Sequence, residues 1–228
     1  MASKTELAPA ARASLEGVLA ALLTMAGLVE NSIRRTLCSL RQLKPGEASQ
    51  VFLGESRINE MEVEIDEQVV RLLAAAPIPE TELRLLIATL RITNDLERLG
   101  DQAVNVAERV VSLRSLPPLT MPRDLILMAD AVEEMVSNSL RALSARRVEL
   151  AQQVLEADDQ VDSYAETLAG ILTEGMEQDR TLVAPRLQLL LASRTLERMA
   201  DHATNIAEDV IFWLRGLDVR HRLERPAS

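Results

Sequence analysis

Apolar residues recur at intervals of three and four along most of the chain, the spacing that lines one side of an α-helix. In the clearest stretch they run Leu85, Ile92, Leu96, Leu99, Ala103, Val106 and Val110. No stretch alternates apolar and polar positions as a half-buried strand does. Punctuation is sparse: Lys44-Pro45-Gly46, Pro77-Ile78-Pro79, Pro117-Pro118 followed by Pro122, and weaker interruptions at Arg146 to Glu149 and Glu177 to Thr181. Pro185 suits the first turn of a helix, where its missing N–H costs little. The pattern predicts six long helices, over residues 5–43, 47–75, 80–115, 122–145, 149–178 and 182–217. A helix of about 30 residues spans ~45 Å, and such helices joined by short connections form elongated antiparallel bundles.

An internal repeat organises these helices. Leu96-Glu97-Arg98-Leu99-Gly100-Asp101-Gln102-Ala103-Val104-Asn105-Val106-Ala107-Glu108 returns 100 residues later as Leu196-Glu197-Arg198-Met199-Ala200-Asp201-His202-Ala203-Thr204-Asn205-Ile206-Ala207-Glu208, with eight of 13 positions identical. A weaker match aligns Glu55, Ile58 and Asn59 with Asp158, Val161 and Asp162. The fold class expected is therefore all-α, with two tandem pseudo-symmetric three-helix bundles. Residues 1–116 and 117–228 form the two units, hinged at the proline-rich segment 116–122.

Composition agrees with a helical core. Hydrophobic residues make up 47% of the 228 and aromatics only 2%, so Leu, Val, Ile, Ala and Met must fill the interior. The net charge of −10 argues against nucleic-acid binding, which needs a basic footprint. The pairs Arg34-Arg35 and Arg146-Arg147 are too small to reverse that balance. The single cysteine, Cys38, lies among Ile33, Leu37 and Leu40 and reads as a small core residue; a lone cysteine fits a reducing compartment. Met1-Ala2-Ser3-Lys4-Thr5-Glu6 does not begin as a signal peptide does, and no apolar run of ~18 residues predicts a membrane span.

Candidate chemistry lies opposite the apolar stripe. At 100° per residue, Asn94, Glu97, Asp101, Asn105 and Glu108 fall within about 80° of one another. Glu197, Asp201, Asn205 and Glu208 repeat the row, which is expected to face away from the core. Glu55, Asn59, Glu62 and Asp66 form a line on the second helix, and Asp158 and Asp162 begin one on the fifth. Like charges at i,i+4 destabilise a helix, so helix stability does not explain such a row. Two explanations stand open. A bridging Mg²⁺, Mn²⁺, Ca²⁺ or ferric ion would suit an oxygen-only ligand set. Otherwise the row is a solvated acidic face with Arg98 and Arg198 as ion-pair partners. A carboxylate-bridged, metal-dependent bundle enzyme is the competing class, but Glu-x-x-His is absent. Gly-x-Ser-x-Gly and a glycine-rich phosphate loop are absent too. A generic helical scaffold is the third reading, and it has no need to place the same row twice.

The two cores LERLGDQAVNVAE and LERMADHATNIAE, together with RINEMEVEIDEQ in the second helix and the closing Trp213-Leu214-Arg215-Gly216-Leu217-Asp218-Val219-Arg220-His221, resemble the PhoU family of phosphate-transport regulators. The resemblance runs from about residue 12 to residue 221. It implies a cytoplasmic homodimer, reaching the membrane only through partners. Those partners are the ATP-binding subunit of the phosphate ABC transporter and a PAS-containing sensor histidine kinase. Such a protein suppresses uptake and starvation signalling when phosphate is plentiful. The metal-binding E/D-x-x-x-D motifs of some members correspond to Glu97/Asp101, Glu197/Asp201, Asp158/Asp162 and Glu55/Asn59, where Asn replaces the second acid. Asn105, Glu108, Asn205 and Glu208 extend the rows as further contacts. Phe212 and Trp213 belong either to a partner surface or to the bundle interior.

Overall fold

The computed structural model describes residues 7–43, 46, 48–75 and 77–220. Met1 to Glu6, Lys44 and Pro45 of the first break, and His221 lie outside the described residues. Among the described residues the order is α1 (Pro9–Gln42), α2 (Ala48–Ala75), α3 (Glu80–Leu113), α4 (Arg123–Ala145), α5 (Val148–Gln178), a 3-10 turn (Arg180–Leu182) and α6 (Val183–Arg215). These are the six expected helices, with ends shifted by a few residues.

The ends follow local chemistry. Pro9 sits in the first turn of α1, and prolines 79 and 122 immediately precede α3 and α4. Helix α6 ends on Gly216 at φ 66°, the left-handed cap that glycine adopts without penalty. Helix α4 ends in the same conformation on Arg146, at φ 54°. A side chain is strained there, and Arg146 lies over the Trp213 ring at 5.3 Å. Trp213 is buried, so its place is the bundle interior. After α5, the Asp179 carboxylate accepts from the Thr181 N–H at 2.9 Å and starts the 3-10 turn. Arg186 donates to the Gly175 carbonyl near the α5 terminus. A Cβ at Gly175 would come within 2.6 Å of that guanidinium, the mobile end of a long side chain that could shift aside.

Helices α1–α3 form one three-helix bundle and α4–α6 a pseudo-symmetric second. They are joined along an α3–α6 seam and by a smaller α1–α4 contact. Arg91 meets Asp209 and Arg109 meets Gln188, so α3 and α6 run antiparallel across the seam. Arg41 of α1 binds Asp130 at 2.7 Å and Glu133 at 2.5 Å on α4. The core is aliphatic, with Leu22, Met25, Ile33 and Leu37 of α1 meeting Ile58, Ile65, Leu86, Ile92, Leu96 and Leu99. Cys38 is half-buried rather than core, and its sulfur accepts from the Gln42 amide at 3.2 Å. By length and composition alone α1 could cross a membrane, with a mean hydropathy of 1.5 over an 18-residue window. In the bundle it packs against α2, α3 and α4.

Candidate functional site

Close helix approach sets the register within each unit. A Cβ on Gly100 would lie 3.2 Å from Ile58 Cδ1, so α2 and α3 meet tightly at that level. In the second unit Thr204 of α6 donates to Asp158 of α5 at 3.3 Å. Ile58 corresponds to Val161 in the weaker repeat, so both units bring the second and third helices together beside the acidic rows.

In the first unit Glu62 of α2 lies near Glu97 and Asp101 of α3, with Asp66 one turn further along α2. The Glu97 side chain is 16% exposed, with Arg98 Nε at 3.5 Å. Burial first, then the neighbouring Asp101, hold the Glu97 carboxyl above the ordinary range. Burial, then Asp66, raise Glu62, with Arg98 opposing and Asp101 adding; burial alone raises Asp66. The row thus borders a helix crevice and is less outward than the helical phase predicts. Asn59 is exposed and Glu55 half-buried, and the charge coupling of this unit runs instead through Glu62 and Asp66.

The second unit is more strongly coupled. Asp158 is raised by burial, then by Asp162 and Asp201. Asp162 is raised by burial, then by Glu197. Asp201 is raised by burial, then by Asp162 and Glu197, while His202 and Arg198 oppose. Glu197 is paired with Arg194 at 2.7 Å, one turn before the Arg198 that the sequence suggests.

The expected bridging cation fails here. Among the described residues no group of three or more His, Cys, Asp or Glu side chains is arranged to hold a metal ion. That overturns a divalent or ferric cofactor at Glu97, Asp101, Glu197, Asp201, Asp158, Asp162, Glu55 and Asn59, and with it the carboxylate-bridged enzyme. The carboxylates sense one another's charge along the crevice, but among the described residues they are not grouped to hold one ion.

The extended row also divides. Glu108 is exposed and Asn105 half-buried on α3. Asn205 belongs to the seam, where its amide donates to Asp95 Oδ1 at 3.2 Å. The same oxygen meets His202 Nδ1 at 2.8 Å. Next to this, Arg91 binds Asp209 at 3.0 Å and lies 5.1 Å over the Phe212 ring. Asp95 and Asp209 are 7% and 5% exposed. Burial pushes Asp209 up to about 6, against the opposing pull of Arg91. A cavity of about 290 Å³ opens here, bordered by Arg91, Asp95, Asn205 and Asp209 together with Asn94, Glu208 and Arg220. Sequence reasoning did not place Arg91, Asp95, His202 or Asp209 in a site. The usable signal was asymmetry in the repeat, which has Leu191, Thr195, Gln102 and Arg109 at the equivalent positions.

The comparisons with known proteins agree with the duplicated helical fold. The family described as "PhoU domain" matches twice, at residues 22–110 and 125–210. A phosphate-specific transport system accessory protein PhoU homolog of Pseudomonas putida is 38% identical over 213 residues, covering 92% of this chain and 82% of that protein. The Clostridium acetobutylicum homolog is 31% identical over 206 residues, covering 90% and 94%. The crystal structure of PhoU from Pseudomonas aeruginosa superposes with a TM-score of 0.84 at 35% identity, covering 90% of this chain and 99% of that one. The phosphate transport system regulatory protein PhoU from Streptococcus pneumoniae gives 0.81 at 24% identity, covering 92% and 99%, a likeness of fold.

Proposed function

Given that the chain belongs to the PhoU family of phosphate-transport accessory proteins, we propose that it acts as an adaptor on the cytoplasmic side of the membrane. It joins the ATP-binding subunit of a phosphate ABC transporter to a PAS-containing sensor histidine kinase. It restrains uptake and starvation signalling when phosphate is abundant. The family's accessory proteins are regulatory, not catalytic. We assign the two units to residues 1–116 and 117–228, and the working form to a homodimer.

One observation carries the docking reading. Both units keep a Glu-x-x-x-Asp pair beside the second helix, although burial and then like-charged neighbours disfavour the charged form of Glu97 in one and of Asp201 in the other. Carboxylates held at such cost are available to cationic groups on a partner, whose arrival relieves the repulsion. In the first unit the docking residues are Glu97 and Asp101, with Glu55 and Asn59 behind them. In the second they are Glu197, Asp201, Asp158 and Asp162. Asn105, Glu108, Asn205 and Glu208 extend the rows.

A pull-down against the transporter's ATP-binding subunit tests this. The native chain should retain the subunit, and Glu197→Gln with Asp201→Asn should retain markedly less at unchanged helicity. Equal retention would remove the rows from the docking surface.

A further inference from the structure

Helix α2 carries a face that the bundle leaves uncovered. Its core side is Val51, Ile58, Met61, Ile65, Val69 and Leu72. Turned away from it, Phe52 is 36% exposed, Val63 58%, Val70 60% and Leu73 38%. Positions 52, 56, 59, 63, 66, 70 and 73 alternate by four and three, the spacing of a coiled-coil seam. The four apolar residues fall on that row, with Ser56, Asn59 and Asp66 on its other steps. Single exposed apolar residues are ordinary; a row at heptad spacing is the form in which one helix receives another. The second unit does not repeat it, having Glu166 and Thr173 where α2 has Val63 and Val70.

Charge identifies the occupant. Six acidic residues of α2 outnumber two basic ones. Both basic residues are engaged within the helix, Arg57 by Glu60 and Glu64, and Arg71 by Glu67. Glu62 remains on the side nearer α3, beside Glu97 and Asp101, where a cation would also relieve the crevice, and Asp66 stands on the seam row itself.

We propose that this face of α2 is a docking seam for a basic amphipathic helix of a partner protein. Apolar side chains at heptad spacing cover Phe52, Val63, Val70 and Leu73, and flanking Lys or Arg meet the α2 carboxylates. A second copy of this chain suits the seam poorly, because two such faces would set acid against acid. The seam does not depend on the docking role of the Glu-x-x-x-Asp rows, and its test reads Val63 and Val70, which lie outside them.

The probe is a fluorescently labelled synthetic helix of about three heptads, with Leu at the seam positions and Lys beside them. Its anisotropy is titrated with the full chain. Saturable binding is expected, with a scrambled peptide of the same composition and a Glu-for-Lys version at least ~tenfold weaker. Val63→Lys with Val70→Lys should weaken binding by ~tenfold or more at unchanged helicity. Ile171→Lys on the second unit should leave it unaltered. Should the Lys pair reduce helicity, Val63→Ala with Val70→Ala replaces it, with a smaller loss in the same direction. Absence of saturable binding, equal binding of the scrambled peptide, or undiminished binding by both Val63/Val70 pairs would overturn the proposal. So would sedimentation showing that the Val63/Val70 substitutions convert a dimer to a monomer, since the occupant would then be a second copy.

Discussion

Replacing Asp162 by Asn copies into the second unit the residue that Asn59 supplies in the first, and it should make the protein more stable. Asp162 raises the carboxyls of both Asp158 and Asp201, and Glu197 raises its own. Asp159 raises it as well, so it takes part in four like-charge contacts. One such contact on a helix surface costs about 0.2–0.5 kcal/mol, so four amount to roughly 0.8–2 kcal/mol before screening. Asp162 is exposed, and solvent brings the expected gain to about 0.5–1 kcal/mol. For a chain of this size that is a rise of about 1–4 °C in Tm. The sign with pH follows from the direction of the shifts. A carboxyl raised in the folded state favours folding below its unfolded pKa, and that contribution is lost as pH rises through the folded one. The advantage of Asp162→Asn should thus be full near neutral pH, fade as the raised carboxyls protonate, and shrink in ~1 M salt. Calorimetric melting across pH and salt reads all three. An unchanged or lower Tm near neutrality, or a gain that persists after the carboxyls are protonated, would refute the repulsion described for this row.

Other substitutions probe the frame around the rows. Gly100→Leu should cost about 1–3 kcal/mol, because its Cβ alone would approach Ile58 to 3.2 Å; urea unfolding measures it, and Gly100→Ala should cost far less, as Ala200 in the second unit suggests. Asp209 is raised to about 6 from 3.8. The native chain should therefore gain up to about 3 kcal/mol relative to Asp209→Asn as pH falls through that window, which urea unfolding at several pH values reads. Asp95→Ala leaves His202 and Asn205 without their shared acceptor and should cost about 2–4 kcal/mol. A double-mutant cycle with His202→Ala should then show that the two losses are not additive.

The helices were legible because each presents an unbroken apolar face, as Leu85 to Val110 does on α3. The duplication was legible because the two cores align without a gap. Contacts between the units were not, because a helical wheel fixes phase but not which neighbour stands on each side. On the wheel Asn205 continues the Glu197–Asp201 row, yet in the fold it bonds Asp95 across the seam. The same limit produced the metal expectation, since residues of the right type in the right phase need not meet at one point. Cys38 was misplaced for a smaller reason. Its neighbours Ile33, Leu37 and Leu40 are buried, but its own position is at the margin of that face, where Gln42 reaches it.

The most direct measurement is of a phosphate-starvation reporter in a host whose own copy of the gene has been deleted, grown with abundant phosphate. Deletion should raise the reporter, the native chain should lower it again, and a chain carrying Asp158→Asn, Asp162→Asn, Glu197→Gln and Asp201→Asn should leave it raised despite equal abundance. A reporter that deletion leaves unchanged would contradict the regulatory role. One restored fully by the substituted chain would contradict the role of the carboxylate rows.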